Sequence, residues 1–198
     1  MTVSDSKTLF HEQFPYVIPS LFKRIVDEML VELNLLHHQS EFSQDSFFCV
    51  GLTETFKELT NGYEPEKHIK QLFKALCTST NFDPNEINEI SQETINEYND
   101  KNLEEVSDLI IKNSSKKVYY SRILILGIYK ILSTANDYKE EEDIKKFTEI
   151  EKIVSNLKLP LSRAEKDITL FKSSIKKFEQ AKELIRETIK SEREKRNK

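Results

Sequence analysis

The side chains best suited to chemistry are Arg122, Tyr120 and Glu28, four histidines, two cysteines and one acidic run. Arg122 lies in the otherwise apolar stretch Val118–Leu132, where a guanidinium must find a counter-charge. A helical enzyme could assemble a site between helices from Arg122, Tyr120 and Glu28. A structural ion pair is the simpler account of the same arginine. His37 and His38 are adjacent and so point roughly 100° apart on a helix, whereas two metal ligands on one helix need a spacing of three or four. They read as a helix end whose dipole they complement; His11 and His68 stand apart from them. Glu140-Glu141-Glu142-Asp143 has the charge of a metal patch, but a place just inside a helix start fits dipole compensation better. Cys49 and Cys77 each lie inside an apolar helical pattern and read as buried reduced thiols, with a disulfide as the alternative. Gly51, Gly62 and Gly127 are isolated, which excludes the clustered glycines of a phosphate cradle. No G-x-S-x-G elbow occurs either. The expectation is no catalytic residue, no cofactor and no metal.

Those residues need elements to position them, and the composition points to helices. Three glycines and five prolines in 198 residues are too few for the turns of an all-β fold. At 37% hydrophobic and 32% charged, the chain can build a core while keeping long solvated helix faces. Thr2 to Phe14 is expected to be a short helix or arm, followed after Pro15 and Pro19 by a helix from near Ser20. Its apolar positions Leu21, Phe22, Ile25, Val26, Met29, Leu30, Leu33 and Leu36 mark one broad face. A helix over roughly 45 to 60 aligns Phe48, Leu52, Phe56 and Leu59, and ends at Asn61-Gly62. Pro65 opens another, with Ile69, Leu72, Phe73, Leu76 and Cys77. Asp83-Pro84-Asn85-Glu86 is a helix start, leading a polar helix expected to be peripheral. Asn102 and Glu105 mark the next, before Leu103, Val106, Leu109 and Ile110.

Val118–Leu132 reads as the central buried helix. Gly127 inside it costs about 1 kcal/mol of helix propensity, which makes sense where another helix crosses closely. The same stretch is the nearest thing to a membrane span, but it is short of the roughly 18 apolar residues needed and carries Arg122 and Lys130. Glu140–Asn156 is expected to bury Ile144, Phe147, Ile150, Val154 and Leu157. The aromatics (12 Phe, 7 Tyr) could suggest base stacking, but Phe22, Phe56, Phe73, Phe147, Tyr119 and Tyr129 stand at helical spacing among aliphatics and read as core. Met1 to Lys7 is polar, with no apolar stretch behind it of the kind a secretory signal has.

Beyond Pro160, Ser162-Arg163-Ala164-Glu165 has the pattern of a capping box. Helix formers then continue to about Arg196, some 35 residues or roughly 50 Å. Leu161, Ala164, Ile168, Phe171, Ile175, Phe178, Lys182, Ile185 and Ile189 alternate by three and four, a narrow coiled-coil seam with Lys182 as its polar interruption. Residues 161–198 hold 12 Lys and Arg against 7 Asp and Glu, a net of +5. Residues 1–160 carry −9, giving −4 overall. An acidic body thus bears a basic arm.

Longer stretches resemble one family. Thr2-Val3-Ser4-Asp5-Ser6-Lys7 is followed by Ile18-Pro19-Ser20 and by the run Val26 to Leu36. Gly62-Tyr63-Glu64-Pro65-Glu66, Leu72 to Cys77 and Tyr120-Ser121-Arg122 come next. The tail adds Lys166-Asp167, Glu179 to Leu184 and Glu192 to Arg196. Together, in order and nearly end to end, these resemble the thylakoid formation proteins, also described as photosystem II biogenesis factors, of cyanobacteria and plastids. The resemblance is weakest at residues 85–117 and 134–156. With no transit peptide ahead of these residues, the chain looks cyanobacterial. The resemblance implies an all-α bundle with a protruding C-terminal helix and no catalytic residues. It also implies a role in photosystem II biogenesis and repair, exerted partly through the membrane-bound FtsH protease.

The expectation is therefore an all-α multi-helix bundle, residues 1–158, with an extended basic, coiled-coil-like helix over 162–196. The chain would be peripheral on the cytoplasmic side of the thylakoid and partly soluble in the cytoplasm. FtsH or photosystem II assembly components would be its protein partners, with possible contact to thylakoid lipid. Ile168, Phe171, Ile175, Phe178 and Ile185 would form the partner-binding seam. Lys172, Lys176, Lys177, Lys182 and Arg186 would meet acidic protein or anionic lipid, each gaining about 1 kcal/mol near a membrane. The rival reading is a nucleic-acid-binding regulator using the same basic helix; the acidic body speaks against it.

Overall fold

Side chains that accept the first free backbone amides place most of the helix starts. The computed structural model describes residues 1–114, 118–137 and 143–196. Its helices are α1 (Val3–Gln13), α2 (Ser20–His37), α3 (Ser46–Leu59), α4 (Ile69–Thr78, entered through a 3-10 turn at Glu66–His68) and α5 (Pro84–Tyr98). Then come α6 (Leu103–Asn113), α7 (Arg122–Leu132), α8 (Asp143–Asn156) and α9 (Leu161–Arg196); no strand occurs among the described residues. Thr2 and Asp5 cap α1 reciprocally, as Asn102 and Glu105 cap α6. Asp45 accepts from the Phe48 amide at 2.8 Å, and Asp83 from Asn85 at 2.7 Å. Each such cap is worth about 1 kcal/mol.

The core forms around the crossing of α3 and α7. At Gly51 and Gly127 the two backbones come so close that a Cβ on either would overlap a carbonyl oxygen of the other helix, Ile123 or Phe47. This is the close approach that the mid-helix glycine implied, and Gly51 is its counterpart. One side of the crossing is a core of α1–α4, with Leu33, Phe48, Leu52 and Leu76 fully buried. The other joins α6, α7, α8 and the first half of α9, around Ile110, Ile128, Ile153, Ala164 and Ile168. Cys49 and Cys77 are free and buried in the first core. Burial pushes the Cys49 thiol up to about 12 and that of Cys77 higher still, so neither is a ready nucleophile.

Four expectations are corrected. The stretch Val118–Leu132 is not one helix: Ser121 accepts from the Leu124 amide at 3.0 Å, and α7 starts at Arg122, leaving 118–120 irregular. α5 is not peripheral, because Ile87, Ser91, Thr94 and Tyr98 are buried, and the Ser91 and Thr53 hydroxyls meet at 2.6 Å. In α8, Ile144 is exposed while Ile150, Ile153 and Val154 carry the packing. α9 begins at Leu161, where the Pro160 carbonyl accepts from Arg163 and Ala164, one position before the expected Ser162 cap. Residues 140–142 of the acidic run lie outside the described residues, as does the Ile189 side chain.

Candidate functional site

The expected partner-binding seam on α9 is covered over its first half by the chain itself. Ile168 is fully buried; Phe171 and Phe178 are buried as well. The Phe178 ring meets Phe22 of α2 edge-on, with 5.2 Å between centroids. Ile175 is half-buried against the α6–α8 core. Lys182, expected to face a partner, is buried: it pairs with Glu179 at 2.9 Å, and its stem lies against Gly62, which turns at φ +80° after α3. Hydrophobic matching explains the difference. A seam of this spacing suits any apolar groove, and the groove over α3, α7 and α8 is nearest. Beyond Lys182, Ile185 of the seam is 46% exposed and its neighbour Leu184 65%. Lys176, Lys177 and Arg186 are exposed and Lys172 is half-exposed.

The elements also converge on a polar cluster. Arg122 at the start of α7 donates through Nε to Glu32 of α2 at 3.1 Å, and through a terminal nitrogen to the same oxygen. Tyr120 donates to Asp167 of α9 at 2.7 Å. The Arg163 guanidinium lies over the Tyr120 ring at 4.8 Å. Arg24 and Glu28 pair along α2 at 2.8 Å, so Glu28 bonds within its own helix and acts on Arg122 only through its charge. Burial raises the Glu32 pKa, outweighing the neighbouring Arg122. The Tyr120 pKa is raised by burial and by its bond to Asp167. For Arg122, burial works to lower the pKa, but Glu32 and Asp167 leave it raised.

Two clefts flank the cluster. One of about 420 Å³ runs between antiparallel α2 and α9, lined by Ile25, Met29, Leu126, Leu170 and Phe178. The other, about 850 Å³, opens between α2, residues 119–122 and Arg163. Sequence reasoning named Arg122 and Tyr120 but missed Glu32, Asp167 and Arg163; the arginine in an apolar run was the signal that partners existed. No group of three or more His, Cys, Asp or Glu side chains is placed to hold a metal ion among the described residues.

Similarity to known proteins agrees with this architecture. A family profile described as "Thylakoid formation protein" matches residues 2–198. The chain is 59% identical to Protein Thf1 of Prochlorococcus marinus subsp. pastoris (strain CCMP1986 / NIES-2087 / MED4), over 99% of this chain and 98% of that one. It is also 59% identical to Protein Thf1 of Prochlorococcus marinus (strain MIT 9312), over 94% and 93%. A solved structure of Psb29 superposes with a TM-score of 0.88 at 25% identity, covering all of both chains. Matched along its length in sequence and in fold, the chain belongs to the thylakoid formation protein family, with a role in thylakoid formation and photosystem II biology.

Proposed function

We propose that the chain is a non-enzymatic accessory factor of photosystem II biogenesis and repair, peripheral to the thylakoid on its cytoplasmic side. It acts by binding protein partners, with the membrane-bound FtsH protease first among them. Two features support a peripheral place. Among the described residues no helix is long and apolar enough to cross a membrane, and the C-terminal helix exposes the basic residues Lys176, Lys177, Arg186 and Lys190. The observation that carries the proposal is the change along α9: the seam is occupied as far as Lys182 and open at Ile185, next to the exposed Leu184.

Docking then belongs to the distal half of α9. Leu184 and Ile185 offer the apolar contact and Arg186 the charge, with Lys172, Lys176 and Lys177 on the solvated face behind them. Ile168, Phe171 and Phe178 serve by holding the helix to the body. The test is a chain ending after Lys182, which keeps every buried α9 position. It should fold with the thermal midpoint of the full chain, yet lose co-purification with membranes and with FtsH. Undiminished recovery of both by the shortened chain would sink the proposal.

A further inference from the structure

We infer that the larger cleft is a docking groove for an extended acidic peptide, a site separate from the distal half of α9. Its floor is the outer stripe Lys23, Asp27, Val31 and Leu35 of α2, four positions apart and therefore on one face. The stripe is about 18 Å long at the helical rise. The opposite wall is irregular: Tyr119 and Tyr120 precede the Ser121 cap.

Charge decides what the groove can hold. Most of its charges are already matched: Lys7 with Asp27 at 3.9 Å, Arg24 with Glu28 at 2.8 Å, and Arg122 with Glu32. Lys23 and Arg163 remain, both exposed and without a carboxylate partner among the described residues. Arg163 is held in place over the Tyr120 ring. Two unmatched cations in one groove suit two carboxylates of one ligand.

Backbone and apolar surface add direction. Tyr119 and Tyr120 make no backbone–backbone hydrogen bond to the described residues. A strand laid alongside residues 119 and 120 would pair with their backbone, the geometry of β-strand addition. In the same groove Leu35 is 53% exposed beside half-buried Val31 and Tyr119, a place for one apolar side chain. The ligand is thus an extended segment that carries both acidic and apolar residues. A polyphosphate backbone fits less well, because Asp27, Glu28 and Glu32 line the same groove.

The experiment uses the full chain and a fluorescein-labelled peptide in which glutamate alternates with leucine and phenylalanine, read by fluorescence anisotropy at low salt. The control is the same peptide with lysine in place of glutamate. The acidic peptide should bind at least about tenfold tighter than the control. The double variant Lys23→Glu with Arg163→Glu should lose at least about tenfold in affinity for it. Both positions are exposed, so the variant should keep the far-UV circular dichroism of the parent. Peptide addition should slow amide exchange at Tyr119 and Tyr120. Equal binding of the two peptides, an unaffected double variant, or displacement of the peptide by inorganic phosphate or single-stranded DNA at lower concentration would each overturn the inference. The chain ending after Lys182 should bind the acidic peptide unchanged, so the fate of this groove and that of the distal arm are read apart.

Discussion

The two halves of α9 are built from one continuous helix with similar residues, yet they live in different surroundings. From Ala164 to Lys182 the seam is buried except for half-buried Ile175: Ala164 and Ile168 are fully covered, and Phe178 is 7% exposed. Two turns on from Phe178, Ile185 of the same seam is 46% exposed, and Leu184 beside it 65%. Periodicity is therefore a statement about what a helix face can bury and says nothing about which surface buries it. The proximal half is fixed at two points. Phe178 meets Phe22 at one, and Asp167 takes the Tyr120 hydroxyl at the other, beside the Arg122–Glu32 pair. Among its described residues the distal half shows no such anchor, which is why function is assigned to it and stability to the other.

The sharpest way to break this contrast is to truncate one aromatic or aliphatic side chain in each half. Phe178→Ala removes a buried ring and its edge-on contact with Phe22, and should cost about 3–5 kcal/mol. Leu184→Ala should change stability by no more than about 0.5 kcal/mol, since the side chain is mostly in water. Urea unfolding followed by circular dichroism measures both. Equal losses would mean that the distal half packs on something in solution, and the division of labour would fall.

A smaller effect tests the polar anchor. Tyr120→Phe keeps the ring beneath Arg163 but removes the donor to Asp167. Hydrogen bonds to charged acceptors contribute about 1.5–3 kcal/mol, so the loss should fall in that range and below that of Phe178→Ala. A double variant with Asp167→Asn would show whether the two side chains act as a pair: the second change should add little once the first is made. Full additivity would show that Tyr120 and Asp167 are independent, and that the proximal half is held by apolar packing alone.

Much of this fold was legible because its signals are local. Asp83 and the Asn102–Glu105 pair announced α5 and α6 through groups at most three residues apart. Gly127 announced a close crossing, though not that Gly51 would be the other half of it. Ser121 was passed over inside an apolar run, although a serine hydroxyl at that point ends one element and starts the next. α5 looked solvated because its buried stripe relies on Ser91 and Thr94, whose small hydroxyls allow close packing against α3 without raising hydrophobicity. The polar cluster was legible only as a need. Arg122 in an apolar helix required an anion, but Glu32 lies 90 positions away, and no local rule reaches that far. The seam erred in the opposite sense: its residues were read correctly and its occupant was not. A body groove and a foreign helix ask the same spacing of it.

The finest test of the proximal anchor is its response to pH. Burial raises the Glu32 pKa above the ordinary 4.5, in spite of Arg122. A carboxyl whose folded pKa is raised binds its proton more tightly when folded, so its contribution favours folding below the unfolded pKa. That contribution disappears as pH climbs through the folded value. Glu32→Gln keeps the neutral shape at every pH. The variant should therefore gain on the parent in thermal midpoint as pH rises from the unfolded pKa through the raised folded one. The shift should be the smallest of the three effects, because Arg122 offsets part of the burial. A parent that instead gains on the variant with rising pH would show that attraction to Arg122 outweighs desolvation. The ion pair would then be a true fastening between α2 and α7, and the proximal half of α9 would rest against a charged latch instead of a site that tolerates its charge.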